Sequence, residues 1–442
     1  MVQDSYHGLE WQRRNYPILS LEEANEILRR GENSQNPRIG GAVPITRFDT
    51  LRLEATSPCQ DNYTYETADV GTDTPWHFWG VFDGHAGYQT SAVLSQALVS
   101  YVARELKQAD KIDPASIDKA VTQGFVKLDD DIVKGALESV TSGETRRRAE
   151  VIADIAPAIS GSMAMLGIYD PVTSTLRVAS VGDSQAVLGV HKGPGPDGDP
   201  SHATWVATPL STPQTPDRPD ELASIHDKHP GEPDSDLLTQ GGRRLLGLPV
   251  TRAFGDHRWK WPEEAISAAH NKFYAPAGLP NAKTPPYLSA VPEISTTTVK
   301  SADFAILATD GLWDTLSPDI AVHCLQTWLH DGRLKGPGPG KRHDNSQQQE
   351  PECVESVPVF PNRDEEATTR VGWAWEWKGR PEDFVVEDDN AATHLARNAL
   401  GGKRREQFCT ILGVLDPQKD DAHDDTTVQV LFFGNPEVFE AV

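Results

Sequence analysis

The sequence predicts an α+β protein, a layered sandwich of mostly antiparallel strands and covering helices, on three observations. Strand-like apolar runs follow one another with only short turn signals between them: 163–169, 175–181 and 185–190 are split by Asp170-Pro171 and Gly182-Asp183. Helical periodicity is gathered into separate stretches and does not alternate strand by strand, as a doubly wound parallel sheet would require. The chain has 442 residues with 38% hydrophobic content, room for about three average domains or for one large domain carrying insertions.

In chain order, Ser20-Leu-Glu-Glu23 reads as a capping box that opens a short helix, with Ala24, Ile27 and Leu28 as its apolar face before Gly31. Residues 76–82, Trp-His-Phe-Trp-Gly-Val-Phe, form a buried strand. An amphipathic helix over 86–107 follows, then a second helix over 115–135. The three strands from 163 to 190 come next. Residues 191–240 are dense in Pro, Gly, Asp and Ser, which suits a long surface excursion. Residues 304–308 form another buried strand, and Ser317-Pro318 supplies the N-cap and first position of a helix. Residues 331–390 break the pattern with Gly-Pro repeats, a Gln run and Trp373, Trp375 and Trp377, and read as an insertion. A helix over 391–400 with Gly401 as its stop and a closing strand over 427–433 complete the chain.

Lys+Arg 41 against Asp+Glu 65 leaves a net charge of −24, which argues against electrostatic capture of nucleic acid or an anionic membrane. A phosphorylated substrate faces the same repulsion unless cations sit where the phosphate lands. Cys59, Cys324, Cys353 and Cys409 form no CxxC pair, so neither a thiolate metal site nor a disulfide framework is signalled. No apolar run approaches the roughly 20 residues of a membrane span, and residues 1–20 lack the layout of a secretory signal or a convincing transit peptide.

Asp83, Asp183 and Asp310 each follow a buried strand, and Asp424 stands just before one. A single strand-end Asp is ordinarily a turn cap. Several together, with Asp61 as a fifth, favour convergence on hard divalent ions such as Mg²⁺ or Mn²⁺, because isolated carboxylates there would cost several kcal/mol to desolvate.

Six motifs then stand in one order: Phe82-Asp83-Gly84-His85-Ala86-Gly87, Ser160-Gly161-Ser162, Val181-Gly182-Asp183-Ser184, Arg252-Ala253-Phe254-Gly255-Asp256, Ala308-Thr309-Asp310-Gly311-Leu312-Trp313-Asp314 and Asp424-Asp425-Thr426-Thr427. This set resembles the metal-dependent protein phosphatases of the PP2C (PPM) family over roughly residues 16 to 434. Within it, Arg258-Trp-Lys-Trp261, Pro285-Pro-Tyr-Leu288 and Ala392-Thr-His-Leu395 resemble the pyruvate dehydrogenase phosphatase branch. The resemblance implies two packed, mostly antiparallel sheets flanked by pairs of helices. It divides the chain into an N-terminal segment, 1–40, one phosphatase domain, 41–434, with insertions at about 191–240 and 331–390, and a tail, 435–442.

The resemblance also implies roles. Asp83 would bridge two Mg²⁺ or Mn²⁺ ions, with the Gly84 carbonyl on one and Asp310 and Asp424 on the other. Asp61 would sit behind the direct ligands or reach a metal through water, and Asp183 and Asp314 would serve a weaker third ion. A hydroxide between the two ions would attack phosphoserine or phosphothreonine, and His85 would protonate the leaving oxygen. The implied substrate is a phosphoprotein, on branch resemblance the pyruvate dehydrogenase E1 subunit, and the implied address is the mitochondrial matrix, with the cytoplasm as alternative. The two insertions would offer docking surfaces.

Departures from the family pattern stand close to the site. Gln60 replaces the usual Glu before Asp61, and Thr56 stands where many members carry a phosphate-binding Arg and the pyruvate dehydrogenase branch an Asn. Thr56 donates one hydrogen bond but no charge, and Arg52 either reaches the phosphate or is solvated on an alternating strand. Met163 occupies a position often held by a small polar residue. These changes raise a second reading, a catalytically weak or inactive phosphoprotein-binding scaffold on the same fold. The G-x-G-x-x-G letters of Gly193 to Gly198 sit among prolines with no helix to follow, which makes a dinucleotide site improbable.

Overall fold

The computed structural model describes residues 18–37, 39–109, 111, 113–142, 146–193, 203–335, 378–414 and 422–439. Two antiparallel sheets stack against each other. The first has six strands in the order Glu32–Gln35, Ile45–Leu53, Thr426–Phe433, Phe304–Ala308, Gln185–His191 and Trp205–Pro209. The second has five, in the order Glu293–Thr298, Thr175–Val181, Ala164–Asp170, Trp76–Phe82 and Asn62–Ala68.

Period-two alternation divides each strand between two buried surfaces. In Trp76–Phe82, Trp79 and Val81 face the inter-sheet core with Phe48, Met165, Leu307 and Leu431, whereas Trp76, Phe78 and Phe82 face the opposite way. In Phe304–Ala308 the same rule sends Ala305 and Leu307 inward and Phe304, Ile306 and Ala308 outward. Burial on both faces is why these strands read as continuous apolar runs. The outer face of the second sheet packs on helices Gln89–Lys107 and Pro114–Thr141. That of the first packs on Pro318–His330, Ala391–Ala399 and Arg405–Gly413, with the short helix Leu21–Arg29 beside them. Four layers result, helix, sheet, sheet, helix, in agreement with the predicted sandwich.

Local chemistry sets the ends of these elements. The capping box at Ser20 is present, with the Glu23 amide bonded to the Ser20 hydroxyl and the Glu23 carboxylate accepting from the Ser20 amide. The helix expected from 86 begins at Gln89, because Ala86 (φ 56) and Gly87 (φ 124) hold left-handed backbone that cannot enter a helix. The helix expected over 115–135 extends to Pro114–Thr141, with Asp113 capping the Ser116 amide and proline at its start.

Of 191–240, residues 194–202 lie outside the described residues, and 203–240 are more ordered than their composition suggests. Trp205–Pro209 pairs with Gln185–His191 as an edge strand, and helix Pro219–Lys228 follows. Of 331–390, residues 336–377 lie outside the described residues, and Trp373, Trp375 and Trp377 with them. The chain is described again from Lys378, and Asp388 accepts the indole N–H of Trp328 at 2.8 Å through its carbonyl. Among the described residues no helix is long and apolar enough to cross a membrane.

Candidate metal centre

Antiparallel pairing brings seven strand ends to one end of the sandwich. Phe82 is opposite Asn62, Val181 opposite Ala164, Ala308 opposite Val428 and Leu53 opposite Thr426. The residues that leave or enter those ends are Asp83, Asp61, Asp183, Asp310, Asp424 and Asp425. The strand-lip carboxylates seen in the sequence therefore share one rim.

Asp83, Asp183 and Asp310 come closest, each offering one carboxylate oxygen within 4.8 Å of the others. Asp83 Oδ2 and Asp183 Oδ1 are buried and have no hydrogen-bond partner. Burial, then Asp310, Asp61, Asp183 and Asp424, hold the Asp83 carboxyl well above the usual carboxylate range. Burial, then Asp424, Asp183 and Asp314, do the same to Asp310. Burial, followed by Asp425 and Asp424, pushes Asp61 up to about 8, and burial pushes Asp183 up to about 6. A divalent ion bound among them would draw these carboxyls back toward their ionised forms. An all-oxygen donor set with orphaned buried oxygens suits a hard ion such as Mg²⁺ or Mn²⁺. Asp183, which the resemblance assigns to a weaker ion, belongs to this closest group. Asp314 lies near enough to act electrostatically on both Asp183 and Asp310.

Asp61 is held from the side. The Thr309 hydroxyl donates to Asp61 Oδ2 at 2.9 Å and accepts from the Thr427 amide at 2.9 Å, which links three strand ends at a single atom. Gly84 and His85 pair with Ser162 and Gly161 in a small three-stranded sheet completed by Phe254–Gly255. His85 Nε2 bonds Asp256 Oδ2 at 2.9 Å. Burial pulls the His85 ring down, but the Asp256 carboxylate outweighs it and holds the ring above its usual value.

The two phosphate-binding candidates are engaged elsewhere. Thr56 donates its hydroxyl to Asp425 Oδ2 at 2.5 Å, and Arg52 Nη2 donates to the Cys59 carbonyl at 3.0 Å. Both brace the 55–60 loop. Gln60 accepts the Gly87 amide at 2.6 Å, so it ties that loop to the Asp83-Gly84-His85 turn. Lys378 donates to the Asp314 carbonyl, and its charge opposes the burial that raises the Asp314 carboxyl.

The model of the protein phosphatase 2C family matches residues 46–348 of this chain, which takes in Asp61, Asp83, Asp183 and Asp310. The chain belongs to the protein phosphatase 2C family. A protein phosphatase 2C homolog of Schizosaccharomyces pombe is 36% identical over 88% of this chain and 80% of its own length. The mitochondrial pyruvate dehydrogenase (acetyl-transferring) phosphatase 1 of Saccharomyces cerevisiae is 31% identical over 95% and 74%. Its counterpart of the same name in Rattus norvegicus is 27% identical over 94% and 83%. The protein is thus a protein serine/threonine phosphatase of a metal-dependent family.

Two members of this phosphatase site carry no role in the sequence reading. Asp425 accepts from the amides of Ala55 (2.5 Å), Thr56 (2.8 Å) and Gln60 (2.7 Å) besides the Thr56 hydroxyl. Asp256 is the buried partner of His85. Both lie inside quoted motifs, yet nothing in a string of letters separates a carboxylate aimed at backbone amides or an imidazole from one aimed at a metal.

Proposed function

We propose that this phosphatase hydrolyses phosphoserine and phosphothreonine in proteins with Mg²⁺ or Mn²⁺ bound at the carboxylate rim, two ions at the main site and a third, weaker one beside it. The observation that carries this reading is the Asp83, Asp183 and Asp310 group with its orphaned buried oxygens. Asp83, Asp310, Asp424 and the Gly84 carbonyl would hold the main ions, with Asp61 beside them and Asp183 and Asp314 serving the third. Divalent ions bound there supply Lewis acidity, lowering the pKa of a coordinated water and offsetting charge on the phosphoryl oxygens. The chain's own groups supply the rest. Thr309 and the Asp425-anchored loop fix Asp61, and His85 holds the proton that the departing seryl or threonyl oxygen needs. A scaffold without activity is the less supported reading, since the acidic rim is complete despite Gln60 and Thr56.

Phosphate release from phosphothreonine peptides tests the metal reading. Chelator should abolish it and Asp83→Ala or Asp310→Asn should lower it by about 10²-fold or more, whereas full activity in excess chelator would overturn it. For the substrate we infer the pyruvate dehydrogenase E1 subunit in the mitochondrial matrix, supported by relatives bearing that name. Equal rates on phosphorylated E1 and on an unrelated phosphoprotein would reject that substrate, and a purely cytosolic signal on cell fractionation would reject the address.

A further inference from the structure

We infer that Asp256 is a positioning residue for His85, and that the small sheet of Gly84–His85, Gly161–Ser162 and Phe254–Gly255 exists to hold the two side chains together. The inference rests on the proposed role of His85 as proton donor to the leaving oxygen.

Four observations carry it. Asp256 Oδ2 lies 2.9 Å from His85 Nε2, and the Asp256 side chain is only 2% exposed. Asp256 adopts φ 56 and ψ 54, a left-handed conformation that a residue with a Cβ rarely takes without a reason. Gly161 stands between the partners, opposite His85 on one side and Gly255 on the other. A Cβ there would fall on both His85 Nε2 and Asp256 Oδ2, so only glycine leaves room for their hydrogen bond.

A brace stands behind the pair. Asp129 accepts the Gly255 amide at 2.9 Å and the Lys260 ammonium at 2.7 Å, and Lys260 also donates to the Ala253 carbonyl at 2.8 Å. The Asp256 amide donates to the Ser160 carbonyl at 3.0 Å. The backbone on both sides of Asp256 is therefore fixed.

The chemistry follows from which nitrogen is occupied. A carboxylate accepts only from an N–H, so Asp256 places a proton on Nε2 and leaves Nδ1 as the working nitrogen. Nδ1 is buried and has no protein partner, as expected of a nitrogen whose partner arrives with the substrate. In the step itself, water releases a proton to solvent as its oxygen bonds phosphorus, and the bond from phosphorus to the seryl or threonyl oxygen breaks. The proton on His85 Nδ1 moves to that oxygen, and His85 regains a proton from solvent. The hydrogen bond to Asp256 holds the ring in place throughout.

The test compares Asp256→Asn, Gly161→Ala and His85→Gln with the unaltered protein in saturating Mn²⁺. Two substrates are used, a phosphothreonine peptide, whose alkoxide needs a proton to leave, and p-nitrophenyl phosphate, whose phenolate does not. Histidine ring ¹⁵N spectra, with His85 assigned by its loss in His85→Gln, report the tautomer directly. For Asp256→Asn and Gly161→Ala we expect kcat on the peptide to fall about tenfold more than kcat on the aryl phosphate. KM for the peptide should hold, and the His85 ring should leave its Nε2–H form. An equal fall on both substrates with an unmoved His85 spectrum would reduce Asp256 to a structural residue and overturn the inference. Should His85→Gln itself lower both rates equally, the proton-donor reading fails, and the spectra still decide whether Asp256 fixes the ring. Gly161→Ala keeps the test open should Asp256→Asn fail to fold.

Discussion

Asp425 shows how a residue beside the carboxylate rim can shape it through backbone hydrogen bonds. Its carboxylate takes four donors from the 55–60 loop, and that loop leads directly into Asp61. Asp425→Ala leaves the Ala55 and Gln60 amides without their acceptor and is expected to cost about 1–3 kcal/mol of stability. It should also lower kcat at a fixed Mn²⁺ concentration, with urea unfolding and steady-state rates as the paired measurements. Unchanged values of both would show that the loop holds its shape without Asp425. A second residue, His394, is buried against Cys324 and accepts or donates within that core. Burial pushes its ring down from 6.5 to about 4. The unfolded chain therefore binds the extra proton first, so His394 contributes stability that is complete above about pH 6.5 and lost as pH falls toward 4. Between pH 7 and pH 5 the loss from this group is about 2 kcal/mol. Urea midpoints at the two pH values should converge by that amount in His394→Asn relative to the unaltered protein, and an identical pH slope in both would disprove the assignment.

The helix Ala391–Ala399 is the element most dependent on charge. All nine of its residues are buried, and Arg397 bonds Asp388 through Nε at 2.5 Å and Nη2 at 2.8 Å, with both side chains inaccessible. Arg29 from the short N-terminal helix reaches the same carboxylate at 2.8 Å. Burial alone would raise the Asp388 carboxyl, but the two guanidinium groups outweigh it and hold it below the usual range. Arg397→Ala strands that carboxylate and is expected to destabilise by about 3–5 kcal/mol, read by thermal or urea unfolding. Arg397→Met together with Asp388→Leu should recover most of it, because an apolar pair of similar volume avoids the desolvation cost. Arg397 and Asp388 also mark the limit of legibility. Strands 76–82 and 304–308 were readable because both faces are apolar. Ile45–Leu53 was not, although it is a central strand, because Arg47, Asp49 and Thr50 interrupt the pattern. Arg47 and Asp49 are satisfied by partners outside the strand: Asp49 accepts from the Ala391 amide at 2.7 Å and Arg47 donates to the Leu334 carbonyl at 2.7 Å. Polar side chains satisfied across elements defeat a periodicity that considers one element at a time. The rim carboxylates escaped this problem because strand ends are visible in sequence, whereas the direction of Asp256 and Asp425 depends on strand pairing.

At the scale of the molecule, a net charge of −24 opposes the approach of a phosphorylated protein, yet part of that charge is gathered at one rim. Asp61, Asp83, Asp183, Asp310, Asp314 and Asp424 face one another at a single end of the sandwich, and burial with mutual repulsion drives the carboxyls of Asp61, Asp83, Asp183 and Asp310 toward their protonated forms. Bound divalent ions would reverse both effects, restoring the ionised carboxylates and turning the local potential toward a phosphate. Two measurable consequences are coupled. Mn²⁺ at a hundredfold excess over its Kd should stabilise the fold by about 2.7 kcal/mol if it binds only the native state, which appears as a raised unfolding temperature. Inorganic phosphate, titrated calorimetrically, should bind poorly in chelator and at least tenfold more tightly in saturating Mn²⁺, while Asp310→Asn should lose both responses together. Metal-independent phosphate affinity would mean that fixed cations such as Arg52 or Lys378 carry the recognition instead. The ionic-strength dependence then discriminates further. Contacts at a buried ion are screened weakly, whereas repulsion from the acidic exterior is screened over a Debye length of about 10 Å at 0.1 M salt. Raising salt should therefore increase the association rate of a phosphopeptide while leaving the metal-dependent step in affinity in place, and a fall in that rate would locate a cationic docking surface that outweighs the acidic exterior.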